Sequence, residues 1–283
     1  MRKTSHALLA ALSLAGPTAA RAADLDYDFL RGPEYDPPVA VTTIDWSGVY
    51  LGGHGGYSTT NFNFGSAGRS DIAQIMRSTA IEQEYQISTW NTLKSRRGHD
   101  ASFGVFGGYN LQFDDIVVGA EVDYTSINQK AYSNDQLSRY VTLSNGNFTD
   151  AYVSTTARAT LEDYGTIRAR AGVAFGQFLP FVTGGLAVGR AAVGSNVAVS
   201  TQEYTDNTRK TQIGGGYRSA GGPLYNGALK EKFSLGGAVG AGFDVSITQN
   251  VFLRAEYQYV WFDPFGDFKM NVSSVRGALG VKF

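Results

Sequence analysis

The chain has 283 residues, no cysteine, 35 glycines, a 13% aromatic fraction and a formal net charge of -1. The absence of cysteine excludes a disulfide framework and any zinc or iron-sulfur site built on thiolates. The near-neutral charge excludes the basic surface that nucleic-acid-binding proteins need, so no nucleic-acid partner is predicted. An apolar fraction of 43% is enough to build a core or an interface, which argues against disorder.

The first 22 residues have the pattern of an export signal. Arg2 and Lys3 precede a short apolar run at residues 7–15, and Ala20-Arg21-Ala22 fits a small-x-small cleavage site. The apolar run is too short for a transmembrane anchor. We therefore predict a signal peptide over residues 1–22.

The rest of the chain divides into two parts. Residues 23–45 are acidic and interrupted by prolines, and they show no periodicity, which predicts an extended periplasmic segment. Residues 46–283 alternate apolar and small or polar side chains with a period of two, which is typical of β-strands.

Eight runs carry this alternation. In the run 251–261, for example, Leu253 and Tyr257 share one face while Arg254 and Glu256 share the other. The predicted strands are residues 49–57, 102–113, 116–125, 165–175, 180–189, 232–245, 251–261 and 274–283.

The connections between these runs alternate in length. Short turns are predicted at residues 114–115, 176–179 and 248–250, long polar connections at 58–100, 126–158 and 191–231, and an intermediate one at 262–271. All short connections then lie at one end and all long ones at the other, as in transmembrane barrels. The predicted fold is all-β: an eight-stranded antiparallel up-and-down transmembrane β-barrel over residues 46–283, with short periplasmic turns and long extracellular loops.

The alternative is a soluble barrel whose apolar face points inward. In that case the opposite face should be rich in charged residues, whereas here it is largely Gly, Ser and Ala, which suit a crowded interior. Aromatic residues near the strand ends also predict girdles at the two membrane interfaces. These are Trp46, Tyr57, Phe113, Tyr124, Phe175, Trp261, Phe262, Phe265 and Phe283.

The polar face carries charges of both signs. Eight strands leave a lumen just wide enough for side chains, so ion pairs that plug the barrel are favoured over a charged, anion-selective pore. The predicted lumenal charge network is Glu121, Asp123, Arg168, Arg170, Asp244, Arg254, Glu256 and Arg276, with Glu121, Asp123, Arg254, Glu256 and Arg276 at its centre. Lys232 and Lys282 share the same predicted face.

Three loop features stand out. Apolar residues at helical spacing behind Ser70 and Asp71 predict a short capped helix within residues 70–83. Residues 140–149, with Asn-Gly at positions 145–146, predict a hairpin that extends the barrel outward. The glycine-rich stretch 214–222 predicts a flexible segment.

Three segments resemble a known family. Residues 46–53 (WSGVYLGG), 179–187 (LPFVTGGLA) and 275–283 (VRGALGVKF) are similar to porin-family outer-membrane β-barrel proteins with an OmpA-like transmembrane domain, especially the major surface proteins of rhizobial-type bacteria. The resemblance implies an eight-stranded barrel, antigenic surface loops and Phe283 as a C-terminal insertion signal read by the barrel-assembly machinery. The long connections depart from the family pattern, so no loop function is transferred.

These observations predict an integral outer-membrane protein that supports envelope integrity and presents long loops. The first alternative is a small-solute porin, and the second is a haem- or ligand-binding receptor. The only histidines after the predicted signal peptide are His54 and His99, and the sequence places no partner ligands beside them. No catalytic, cofactor-binding or metal site is predicted, because no hydrolase or metalloprotease motif occurs. Outer-membrane lipid and lipopolysaccharide are the predicted partners, and a homo-oligomer is left open.

Overall fold

The computed structural model describes residues 44–221 and 229–283. The predicted signal peptide and residues 23–43 of the predicted periplasmic segment lie outside the described residues. Nine strands account for most of the described chain: β1 (Gly48–Asn63), β2 (Arg96–Phe113), β3 (Ile116–Thr142), β4 (Phe148–Val173), β5 (Phe178–Tyr204), β6 (Gln212–Gly221), β7 (Lys230–Ser246), β8 (Val251–Phe262) and β9 (Lys269–Lys282). Two helices, α1 (Arg69–Met76) and α2 (Ala80–Tyr85), and a 3-10 helix (Ile87–Thr89) lie between β1 and β2.

Eight of the nine strands close into a ring. Each pairs antiparallel with its neighbour in the order β1, β2, β3, β4, β5, β7, β8, β9, and β9 pairs back onto β1 from Tyr50 opposite Lys282 to Asn63 opposite Lys269. Strand β6 stands outside the ring and pairs with the far half of β5, from Asn196 opposite Gly221 to Tyr204 opposite Gln212. The predicted eight-stranded up-and-down barrel is therefore confirmed.

The three short turns lie where they were predicted. Asp114 and Asp115 join β2 to β3, and Asp114 takes a left-handed conformation with φ of 52°. A bridge between Phe175 and Phe178 closes the β4–β5 turn, and Ile247 donates its backbone N–H to the carbonyl of Val251 in the β7–β8 turn.

Large apolar side chains cover the outer wall of the ring. The predicted outward register is confirmed: Val105 is 61% exposed, Leu186 70% and Leu279 55%. The residues between them in sequence point into the lumen and are mostly buried.

Two predicted long connections are in fact largely strand. The predicted loop 126–158 contains the outer halves of β3 and β4, and the predicted loop 191–231 contains the end of β5 and the whole of β6. The connection between β3 and β4 is only a turn at residues 143–147, where Gly146 has φ of +86°. This agrees with the hairpin predicted at residues 140–149. The stretch 214–221, predicted to be flexible, is paired in β6, and Gly222 lies outside the described residues.

The connection from β1 to β2 is ordered by two short helices. Ile72 and Met76 of α1 and Ile81 of α2 are buried, which explains their helical spacing in the sequence. The predicted Ser70/Asp71 cap is wrong, because α1 begins after Gly68 in a left-handed conformation without a side-chain cap. Ser70 instead donates its hydroxyl to the Asp267 carboxylate at 2.6 Å, and Asp71 accepts a hydrogen bond from Ser195.

The predicted aromatic girdle needs a correction. Trp46, Phe262 and Phe265 are buried inside the structure, at 3%, 6% and 1% exposure. Neighbouring side chains of a strand point to opposite faces, so an outward Trp261 requires an inward Phe262. The other members lie on the outer wall: Tyr57, Phe113, Tyr124, Phe175, Trp261 and Phe283.

Candidate functional site

A cluster of buried charges fills the middle of the lumen. Four carboxylates and four guanidinium groups meet there, contributed by strands β3, β4, β7, β8 and β9. Each of the eight residues is at most 5% exposed: Glu121, Asp123, Arg168, Arg170, Asp244, Arg254, Glu256 and Arg276. The strands bring all eight predicted residues together, and we call them the lumenal charge network.

Glu121 joins two arginines at the centre of the network. Its Oε1 accepts a hydrogen bond from Arg168 at 2.5 Å, and its Oε2 accepts one from Arg254 at 2.5 Å. The Tyr50 hydroxyl donates to the same Oε2 at 2.9 Å. Removal of this one carboxylate would therefore leave two buried cations without their shared partner.

Glu256 extends the network on one side. Its Oε1 accepts from Arg168 at 2.5 Å, and its Oε2 accepts from the Nε of Arg276 at 3.1 Å. Arg276 also donates to Asp123 at 3.0 Å, and Asp123 lies 3.0 Å from the Nε2 of His54.

Asp244 extends the network on the other side. Its Oδ1 accepts from the Nε of Arg254 at 2.8 Å, and its Oδ2 accepts from Arg170 at 2.5 Å. The guanidinium of Arg170 also lies 3.9 Å from the ring centroid of Phe181, a cation–π contact.

Carboxylates and guanidinium groups alternate along this chain of contacts, four of each, so their charges cancel. Buried ions need such partners, because an uncompensated charge in a dry interior is costly. The alternation in residues 49–57 places Tyr50 and His54 on the inner face, opposite to Val49 and Leu51, but it does not indicate their contacts with Glu121 and Asp123. Lys232, also assigned inward, does not join it, and its ammonium lies beside Gly266 at the mouth.

Apolar layers lie on both sides of the network. Towards the short turns, Trp46, Tyr50, Phe106, Leu179 and Phe252 form one buried cluster in which the Tyr50 and Phe252 ring centroids are 6.0 Å apart. Towards the long connections lies a larger buried cluster, which includes Phe62, Phe64, Leu161, Phe262, Phe265, Phe268, Met270 and Val272. The lumen is thus filled by side chains at three levels.

The outer wall of the barrel changes from apolar to polar at one level. Tyr124 ends the apolar outer face of β3, and Arg190 ends that of β5. Arg190 there pairs with Asp163 at 2.5 Å and with Glu162 at 3.3 Å. Register shifts between Ser126 and Gln129 in β3, and between Leu161 and Asp163 in β4, fall at the same level.

Beyond this level, β3, β4, β5 and β6 continue as a four-stranded sheet, which we call the surface platform (residues 129–142, 148–161, 191–204 and 212–221). Its polarity is opposite to that of the barrel. The inner face carries buried Val153, Val197 and Val199, which pack with the helical connection, whereas the outer face carries mostly polar side chains and tyrosines. Apolar-in and polar-out is the pattern of a sheet in water, so the platform lies above the apolar belt in aqueous surroundings.

Within the platform, the turn that joins β5 to β6 is held by Asp206. The side-chain hydroxyl and the backbone N–H of Thr208 donate to the Asp206 carboxylate, and these bonds hold its pKa below the usual range. The turn positions Arg209, whose Nε and Nη2 bind both carboxylate oxygens of Asp150, each at 3.0 Å.

His54 and His99 lie on opposite sides of the wall. His54 is buried beside Asp123 in the lumen, whereas His99 lies on the exposed side of β2 next to Tyr57. Within residues 44–221 and 229–283, no group of three or more His, Asp or Glu side chains is arranged to hold a metal ion. No helix in this described part is both long and apolar enough to cross a membrane.

Known proteins are similar to this chain over most of its length. The 31 kDa outer-membrane immunogenic protein of Brucella melitensis is 26% identical and covers 98% of both chains. The 22 kDa outer membrane protein of Rhizobium leguminosarum bv. viciae is also 26% identical, over 84% of this chain and 78% of its own. Among solved structures, Neisserial surface protein A is 15% identical with a TM-score of 0.38, over 84% of this chain and 98% of its own.

The family described as "Outer membrane protein beta-barrel domain" matches residues 7–283, almost the whole chain. The closed ring, its apolar outer wall and its short turns at one end are the properties that such a family requires. The relatives are named outer-membrane proteins, and the names of three Brucella relatives describe them as immunogenic. The chain belongs to the outer membrane protein beta-barrel family and is a protein of the bacterial outer membrane.

Proposed function

We propose that this protein is a non-conducting structural barrel that contributes to envelope integrity and presents a folded platform at the cell surface. The lumenal charge network carries the proposal, because four carboxylates and four guanidinium groups bind one another rather than a passing solute. The apolar layers on both sides of the network further oppose a continuous path for water.

Planar bilayer recording of the purified protein tests this proposal. We expect no steady single-barrel conductance, because ions would have to displace buried ion pairs and cross packed aromatic layers. An open porin measured in the same bilayer provides the positive control. A stable conductance that scales with salt concentration would support the porin alternative and overturn our proposal.

We also propose that Phe283 is the signal through which the barrel-assembly machinery recognises the chain. Its ring is 71% exposed on the outer wall, while its backbone N–H donates to the carbonyl of Val49 at 2.9 Å. The ring is therefore accessible, although this backbone hydrogen bond holds Phe283 at the edge of the β1–β9 pair.

Replacing Phe283 with alanine should slow assembly into liposomes that contain purified assembly machinery. The measurement is the growth of the folded, heat-modifiable band on a gel. Phe175→Ala is the matched control, since Phe175 is 64% exposed at the same end of the barrel. Equal rates for the two variants would show that position 283 has no special role.

A further inference from the structure

The outer face of the surface platform contains a shallow depression of about 420 Å³. It is lined by Ser138, Asp150, Ala151, Tyr152, Ser200, Gln202 and Arg209. We propose that this depression binds the polysaccharide chain of lipopolysaccharide in the surrounding outer leaflet. The proposal goes beyond the closed-lumen function, because it would hold even if the barrel conducted ions.

The strand register places two tyrosines on one row of this face. Ser138 is opposite Tyr152, Tyr152 opposite Ser200, and Ser200 opposite Tyr217, across four strands. Adjacent strands are about 4.8 Å apart, so the two tyrosine positions are separated by roughly 10 Å. Tyr152 is 39% exposed and Tyr217 is 71% exposed. Both rings are therefore available to pack against the C–H face of a sugar ring, with a hydroxyl of the sheet between them.

The next row supplies hydrogen-bonding groups. Tyr140 is opposite Asp150, Asp150 opposite Gln202, and Gln202 opposite Gly215, which carries no side chain to cover that end. The Tyr204 hydroxyl donates to the Oε1 of Gln202 at 2.7 Å and so fixes the amide. Carboxylate, amide and hydroxyl groups in fixed positions suit a ligand rich in hydroxyls.

The polar groups are held in place before any ligand arrives. Arg209 is held to Asp150 by a hydrogen bond from Nη2 and an ion-pair contact from Nε, and its guanidinium lies 4.4 Å from the ring centroid of Tyr140. The Tyr140 ring stacks on Phe148, with centroids 5.8 Å apart and planes inclined by 8°. Such preorganisation lowers the entropic cost of binding.

The charge and composition of the lining favour sugar over other ligands. Its one carboxylate and one guanidinium pair with each other, so the lining offers no excess positive charge for a phosphate group. It contains no Leu, Ile, Val, Met, Phe or Trp, so it lacks the apolar anchor pocket that protein partners usually fill.

The position of the platform identifies the source of the sugar. The same strands carry the apolar belt below and the polar face above, and the change occurs within a few residues of Tyr124 and Arg190. Lipopolysaccharide surrounds the barrel in the outer leaflet, and its sugar chains rise directly from that level. The outer face of the platform therefore stands beside them.

The test uses the full-length protein in phosphatidylcholine nanodiscs, titrated with lipid-free polysaccharide released by mild acid from the lipopolysaccharide of the source bacterium. Binding is measured by saturation-transfer NMR and calorimetry. We expect Tyr152→Ala and Tyr217→Ala each to weaken binding by about tenfold, the effect of losing one aromatic contact. Tyr152→Phe, which keeps the ring, should retain most of the affinity.

Tyr132→Ala is the matched control, because Tyr132 is 53% exposed on the same face but lies opposite Arg158, away from the row that carries Tyr152 and Tyr217. It should bind like the unchanged protein. The proposal is overturned if the polysaccharide does not bind or if Tyr132→Ala weakens binding as much as Tyr152→Ala. If vesicles containing only lipid A competed with the polysaccharide, the contact would be with phosphate and not with sugar. If dextran bound as tightly as the polysaccharide, lipopolysaccharide would not be the specific source of the ligand. Heat-modifiable gel mobility verifies that each variant is folded.

Discussion

Replacing Glu121 with glutamine is expected to lower the free energy of unfolding by about 3–5 kcal/mol, the usual cost of breaking a buried ion pair. The substitution preserves the shape of the side chain but removes the charge that Arg168 and Arg254 share. The lumen then holds one uncompensated positive charge. Urea titration in detergent micelles, followed by tryptophan fluorescence, measures the change.

Glu162→Gln is the matched control for this experiment. The Glu162 side chain is 27% exposed and pairs with Arg190, which is 36% exposed, so its loss should cost about 0–1 kcal/mol. A double variant, Glu121→Gln with Arg254→Met, restores the charge balance. It should therefore cost less than the sum of the two single variants. Strict additivity would show that the two groups do not stabilise each other.

Replacing Gly185 with valine should prevent correct assembly or lower the free energy of unfolding by more than the 1–3 kcal/mol typical of overpacking. A Cβ at Gly185 would lie 2.0 Å from the Ile167 carbonyl oxygen and 2.6 Å from the Arg168 Cα. These are backbone atoms of the neighbouring strand, so they cannot move aside as a side chain could. The folded fraction after refolding, measured from heat-modifiable mobility, reports the effect.

The adjacent residue provides the control. Gly184 points outward, and a Cβ there would meet no atom within 4 Å. Gly184→Val should fold as well as the unchanged chain, because valine also has the higher β-propensity. If both valine variants assembled equally well, close approach of the backbone at Gly185 would not be the constraint that we infer.

Much of the barrel could be predicted because lipid requires apolar side chains on the outer face of every membrane-spanning strand. Leu253 and Tyr257 face outward while Arg254 and Glu256 face inward, as the alternation requires. The eight charged residues could be assigned to the lumen for the same reason. Their individual partners could not, because contacts such as Arg254 with Glu121 depend on the stagger of strands that are far apart in sequence.

The surface platform was missed because its polarity is inverted. Around Ala151 and Val153 the apolar residues point inward, so the outward apolar face that identifies a barrel strand ends near the membrane edge. The segment also contains many Ser, Thr and Asn residues, which are common in loops. Trp46 and Phe265 were misplaced because they precede or follow a strand, where alternation gives no direction. Phe262 was different, since the outward position of Trp261 was enough to place it inside.

The unequal strand lengths make the rim of the barrel asymmetric. Over 14 residues of β3, a rise of about 3.4 Å per residue at a tilt of about 40° carries the chain roughly 35 Å outward. An antibody approaching from outside would meet the braced surface platform on one flank before it reached the short β8–β9 connection at residues 263–268. Recognition by the immune system would then depend on a conformational epitope spread over several strands, and denatured protein would reproduce it poorly.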